Sequence, residues 1–201
     1  MPSWARYQGI YPGVVIRPPF PIETPRLLLR PLVAGDHADV FAYRSRADVV
    51  RYLYEGPSTE VELTAELARK SAKVSIEREG DGLCLAVVPR ELGRVVGDVV
   101  LSWTSEAHRQ GEIGFVLHPD YQGLGYAREA SWVLLQIGFE ELGLHRIVGR
   151  LDARNAASAG LLQRLGMRRE AHFVENEYVK GEWTDEAVFA LLASEWREVH
   201  A

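Results

Sequence analysis

Two glycines carry the first chemical signal in this chain. In His118-Pro-Asp-Tyr-Gln-Gly-Leu-Gly-Tyr-Ala-Arg-Glu-Ala130, Gly123 and Gly125 stand between an apolar strand-like run and a helix-like run. A strand, a glycine corner and a helix together make an anion site. The first N–H groups of a helix have no internal acceptor, the helix dipole adds partial positive charge, and glycines let the main chain come close. Other reactive groups are sparse. The one cysteine, Cys84, sits in Leu83-Cys-Leu-Ala-Val-Val88 and reads as a buried, inert thiol, and a single cysteine allows no disulfide framework.

Two phosphate ligands fit this corner poorly. A nucleotide P-loop needs Lys-Ser or Lys-Thr after its last glycine, where this chain has Tyr126-Ala127. A dinucleotide fingerprint would begin at Gly123-Leu-Gly125, but Arg128 occupies its third glycine position and no acid follows at the ribose-binding distance.

The surrounding elements narrow the field. The chain has 201 residues, 47% hydrophobic and 25% charged, enough for one domain with a real core. A formal charge of −5 gives no general attraction to nucleic acid or anionic membrane. Without a signal-like start or a membrane-length apolar run, a cytoplasmic protein is the expectation. Six of the ten prolines fall in the first 25 residues, so 1–22 reads as a proline-rich arm, with Trp4, Tyr7, Tyr11 and Phe20 to bury, ahead of a domain at 23–197.

Within that domain, 26–32 reads as a strand, "AGDHADVFAYRSR" as a helix with Asp36 as its cap, and about 59–79 as a second helix. "LCLAVVPR", "RVVGDVVLSWTS" and "GEIGFVLH" are strands on connections short enough to require antiparallel neighbours. A helix over about 125–142 stops at Gly143, and a strand follows at 145–153. An Asn155-capped helix ends before Gly166, and strands at 168–179 and 184–192 meet at Lys180-Gly181. The order β-α-α-β-β-β-α-β-α-β-β describes an α+β (mixed α/β) fold, a mostly antiparallel twisted sheet of about seven strands flanked by helices.

Gln122-Gly-Leu-Gly-Tyr-Ala127 in that setting resembles the acetyl-CoA signature of the GNAT N-acetyltransferases, Gln/Arg-x-x-Gly-x-Gly/Ala, matching at Gln122, Gly125 and Ala127. "NAASAGLLQRLGM" resembles the family's second motif, with Met167 in place of an aromatic. "TPRLLLRPL", Gly181-x-Trp183-x-Asp185 and Glu195-Trp196 look like the branch of ribosomal-protein N-terminal alanine acetyltransferases, the RimJ/RimL type.

The resemblance implies acetyl-CoA as co-substrate, no metal, and a primary amine as acceptor. That acceptor would be a protein N-terminus or a small amine such as an amino acid, polyamine or aminoglycoside. A non-catalytic acyl-CoA-binding module is a third reading, encouraged by Leu162 where the family carries a tyrosine. The pyrophosphate would lie on Gln122, Gly123, Leu124, Gly125, Tyr126 and Ala127, and pantetheine along Phe115, Val116 and Leu117 on a strand that splays at a bulge. Asn155 and Ser158 would also contact the cofactor.

Acyl transfer needs a base for the amine, donors for the thioester oxygen and a proton for the leaving thiolate. Alternation puts Glu112, Gly114 and Val116 on one strand face, with room beside Glu112 above Gly114. Glu112 is therefore the first choice as base, ahead of Glu175 and Glu177, and His118 reads as structural. Ser158, on the inward face with Leu161, Leu162 and Leu165, substitutes as proton donor, although it could instead only hydrogen-bond backbone in the first turn. Six acids against one lysine over 170–186 could attract a cationic acceptor or merely keep an edge soluble, and Tyr178 and Trp183 could shape its pocket. A homodimer follows only from the base rate for soluble proteins.

Overall fold

A computed structural model describes residues 15–200. Trp4, Tyr7 and Tyr11 lie outside the described residues, whereas Phe20 packs partly buried on the core. The arm's described part does more than precede the domain. Ile16 bridges Ile76 through paired N–H···O bonds of 2.9 Å, and β1 (Ile22–Glu23) pairs with β2 (Leu27–Pro31). That short pairing makes the sheet eight-stranded instead of seven.

After β2 come α1 (His37–Arg44), α2 (Ala47–Val50) and α3 (Glu60–Ser71). β3 (Gly82–Pro89), β4 (Gly97–Ser105) and β5 (Gln110–Leu117) form the antiparallel meander that the short connections demand. Next are α4 (Tyr126–Gln136), β6 (Arg146–Asp152), α5 (Ala156–Arg164), β7 (Arg168–Val179), β8 (Glu182–Leu192) and α6 (Ala193–His200). The strand order is β1-β2-β3-β4-β5-β6-β8-β7, with β5–β6 the parallel pair.

The helix starting near Thr59 stops at Ser71, not near 79. Its start is a capping box: Thr59 accepts from the Glu62 N–H while the Glu62 carboxylate accepts from Thr59. Its end is set by tertiary demand. The Lys73 carbonyl accepts the Cys84 N–H at 2.9 Å, and Ile76 is fully buried against the arm. Asp36 precedes α1 but does not cap it with its side chain. Its carboxylate instead receives both Arg30 Nη atoms at 2.7 Å and the Val33 N–H at 2.9 Å.

α1 and α3 cover one sheet face through Val40, Tyr43, Leu63 and Leu67, packed on Cys84, Ala86 and Val88. Burial pushes the Cys84 thiol up to about 12, so it is unreactive at neutral pH. α4 covers the other face through Ala130, Leu134 and Leu135. It continues through a π-helical turn, Ile137–Glu141, before Gly143 (φ 66°) ends it. Helix α6, which no pattern in the sequence announced, seals that side with Trp196, whose indole donates to Glu140 at 3.0 Å.

Buried Asp98 on β4 ties the helical layer to the sheet. It accepts from Lys70 Nζ (2.7 Å), Tyr43 (2.8 Å) and Arg44 (3.3 Å), and Glu66 balances the second positive charge. Burial alone would raise its carboxyl, but Lys70 and Arg44 outweigh that and hold it well below its ordinary 3.8. A depressed folded pKa stabilises the protein above the unfolded value and loses that contribution as pH falls through the folded one. Asp98→Ala is expected to cost about 3–5 kcal/mol in urea unfolding at pH 7, because two cations stay buried. The gap between variant and wild type should shrink below about pH 4.

Candidate active site

The parallel pairing of β5 with β6 is brief. Gln110↔Arg146, Gly111↔Ile147 and Glu112↔Val148 are in register, and the strands then part. β6 follows β8 from Gly149 to Asp152, while β5 stays with β4 as far as Leu117. Gly149 lies against Leu162 of α5, and a Cβ there would come within 2.8 Å of the leucine methyls. The bulge in this region sits at Trp103/Ser105, opposite the paired end of β5, and does not cause the parting.

His118 N–H reaches Val96 of the β4 side at 2.8 Å. Strand alternation therefore turns the N–H groups of Phe115 and Leu117 into the gap. Val116 corrects the expectation: its amide faces β4, and only its side chain contributes to the site. The Gln122 carboxamide donates to the Leu117 carbonyl at 3.1 Å, so it braces the mouth of the gap and does not reach outward.

At the corner, Gly123 (φ 76°) and Gly125 (φ 85°) adopt left-handed backbone that favours glycine. The first helical bond runs from Glu129 N–H to the Gly125 carbonyl. The amides of Tyr126, Ala127 and Arg128 are therefore left for an external acceptor. Leu124 is half exposed beside them, and Arg26 fixes the loop by donating to its carbonyl at 2.9 Å while pairing with Glu129 at 2.7 Å. The Tyr126 ring is buried with its hydroxyl on Glu91, so only its amide can face a ligand.

Across the gap, Asn155 caps α5 by accepting the Ser158 N–H at 3.1 Å. The Ser158 hydroxyl has no hydrogen-bond partner among the described residues. It lines a cleft of about 570 Å³ together with Gly114, Phe115, Asn155 and Leu162.

Glu112 shares the strand face of cleft-lining Gly114 but is not itself among the residues that line the cleft, and 38% of its side chain is exposed. Burial raises its pKa, Glu186 and Glu177 add to the rise, and Arg150 at 3.7 Å opposes it. No atom lies within 4 Å of where a Gly114 Cβ would be, so the space beside the carboxylate is open. Glu177 lines the cleft but accepts the Tyr54 hydroxyl at 2.7 Å, and Glu175 lies exposed on an irregular stretch of β7. His118 accepts the Asp120 N–H at 3.2 Å within its own turn. The Tyr178 and Trp183 rings meet at a tilt of 60° with centroids 5.3 Å apart, and neither lines the cleft.

Sequence reasoning missed Arg150 and took Glu186 only as one acid of the final hairpin. Arg150 donates to Glu186, only 4% exposed, at 3.0 Å, and Asn176 donates to the other carboxylate oxygen. Alternation held the signal: Val148 is in register with Glu112, which places Arg150 next on the same face.

Residues 26–168 match the family described as an acetyltransferase (GNAT) domain. An uncharacterized N-acetyltransferase of Bacillus subtilis, YnaD, is 34% identical over 87% of this chain and 98% of its own. A GNAT-family acetyltransferase from Bacillus anthracis superposes with a TM-score of 0.77 at 32% identity, covering 87% of this chain and 99% of that one. Spermidine N-acetyltransferase from Vibrio cholerae, solved with CoA and spermine, gives 0.72 at 25% identity, with 87% and 99% covered. The chain belongs to the GNAT acetyltransferases. It is an acetyl-CoA-dependent N-acetyltransferase, and the parted strands and free corner amides suit that co-substrate.

Two outcomes test this geometry. Gly125→Ala forces a left-handed alanine whose Cβ meets Arg26 Nη2 at 3.2 Å. It should cost about 1–2 kcal/mol of stability and reduce the thermal shift produced by CoA. Arg150→Gln removes the group that opposes the rise of Glu112, so the acidic limb of kcat at saturating acceptor should move to higher pH.

Proposed function

We propose that this acetyltransferase modifies the α-amine of a peptide or protein N-terminus, as the RimJ/RimL-type resemblance implies. The observation that carries this reading is Glu112, a carboxylate of raised pKa beside open space above Gly114. An α-amine, with pKa near 8, asks less of a base than a lysine near 10.4.

Acetyl-CoA supplies the thioester. The amides at Gly123, Leu124, Gly125, Tyr126 and Ala127 hold its pyrophosphate, and those of Phe115 and Leu117 hold the pantetheine and polarise the carbonyl. Glu112 takes the ammonium proton, directly or through one water, and the freed nitrogen lone pair then forms the C–N bond. As the C–S bond breaks, Ser158 gives its proton to sulfur and regains one, through water, from the nitrogen made cationic by the addition, and Asn155 fixes the helix turn that positions it.

A polyamine acceptor is the alternative, supported by the likeness to spermidine N-acetyltransferase. Half of the hairpin acids are already paired with arginine, which lessens their pull on a polycation. Glu170 pairs with Arg146 and Arg168, Glu182 with Arg154, and Glu186 with Arg150, while Glu175, Glu177 and Asp185 have no arginine or lysine partner among the described residues.

Thiol release from acetyl-CoA with free-N-terminal peptides, their blocked counterparts and spermidine decides the acceptor. Turnover of the free peptides alone is expected, and turnover of spermidine with inert peptides overturns the reading. Glu112→Gln should lower kcat by roughly 10²–10⁴ and Ser158→Ala by about 10², each with CoA binding retained. An Asn155→Ala variant should fall between them and wild type.

A further inference from the structure

The first turn of α4 carries a carboxylate beside the amides left for an anion. Glu129 is the acid of that turn, with only 16% of its side chain exposed. Burial alone would raise its carboxyl, but hydrogen bonds from Thr24 and Arg26 outweigh that and hold it below its ordinary 4.5, so it is charged at neutral pH. Left alone, that charge would repel a diphosphate at the same turn.

One cation answers Glu129 and also grips the loop. Arg26 gives Nε and Nη2 to one Glu129 oxygen, each at 2.7 Å, and its main-chain N–H to the other at 3.0 Å. Its Nη1 donates to the Leu124 carbonyl at 2.9 Å, between the two left-handed glycines. In a trans peptide the C=O and N–H point opposite ways, so this bond turns the Gly125 N–H away from Arg26. That N–H has no acceptor among the described residues. Arg26 itself has a fixed base: it directly precedes β2, and its carbonyl accepts the Arg90 N–H at 2.9 Å. The guanidinium also lies over the Tyr126 ring, 5.1 Å from its centroid.

We infer that Arg26 is a positioning residue for acetyl-CoA, which balances Glu129 and pins the Leu124 carbonyl so that the corner amides stand ordered before the diphosphate arrives. The inference rests on the reading that this corner receives the diphosphate. A planar guanidinium serves a carboxylate and a carbonyl at once, which one ammonium on a flexible stem does not.

Binding of CoA and of pantetheine, the same arm without adenosine and diphosphate, separates this role from a merely structural one. Wild type should hold CoA at least about a hundredfold more tightly, read by calorimetry for CoA and by thermal shift at millimolar pantetheine. Arg26→Gln should weaken CoA about tenfold and leave pantetheine within about twofold. The Thr24 hydroxyl, at 2.6 Å, and the main-chain N–H of residue 26 still hold Glu129 in that variant, so the turn keeps its fold. Arg26→Lys should fall between Arg26→Gln and wild type, since its ammonium balances Glu129 without also reaching Leu124. Undiminished CoA binding in Arg26→Gln, or an equal loss for CoA and pantetheine, overturns the positioning role and leaves the corner reading standing. Equal binding of the two ligands by wild type would instead remove the corner reading itself.

Discussion

The site depends on two parallel strands that stay paired for three residues and then diverge. A fully zipped β5–β6 pair would consume the Phe115 and Leu117 amides, and the cleft would close. What keeps the strands apart is built into their other partners. β6 is committed to β8 over its whole length, β5 to β4, and Leu162 of α5 fills the space over Gly149. Because the open edge is enforced by completed hydrogen bonding elsewhere, donors can stand ready in the folded state without the strands collapsing together. Preorganised donors of this kind are how a protein stabilises developing charge without reorganising at the moment of reaction.

Much of this was readable from the residues, because local rules govern the parts concerned. Glycine at two left-handed positions, an asparagine cap and short turns between apolar runs each constrain only a few neighbouring residues. Gly123, Gly125, Asn155 and the antiparallel meander were legible for that reason. The alternation that placed Glu112 opposite Ile113 and Leu117 also held.

What escaped was set by distant partners. Thr59 opens α3 as its capping box dictates, yet the helix gives way at Ser71 because Cys84 and Ile16 claim the following backbone. Asp36 stands where a cap belongs but answers Arg30. The acids of the final hairpin look like a uniform charged run on paper, whereas in the fold Glu170, Glu182 and Glu186 meet arginines brought from elsewhere in the chain and Glu177 meets the Tyr54 hydroxyl. Side-chain pairing across elements leaves no local periodicity to read.

The glycine corner has one more implication. The groups it offers are main-chain amides, left unpaired by the helix start, so the exposed Leu124 side chain contributes no donor of its own. Leu124, half exposed at its tip, is thus open to replacement, and the corner offers a surface handle beside the unpaired amides that begin α4. A fluorophore attached at Leu124 would report cofactor arrival from outside the reacting centre.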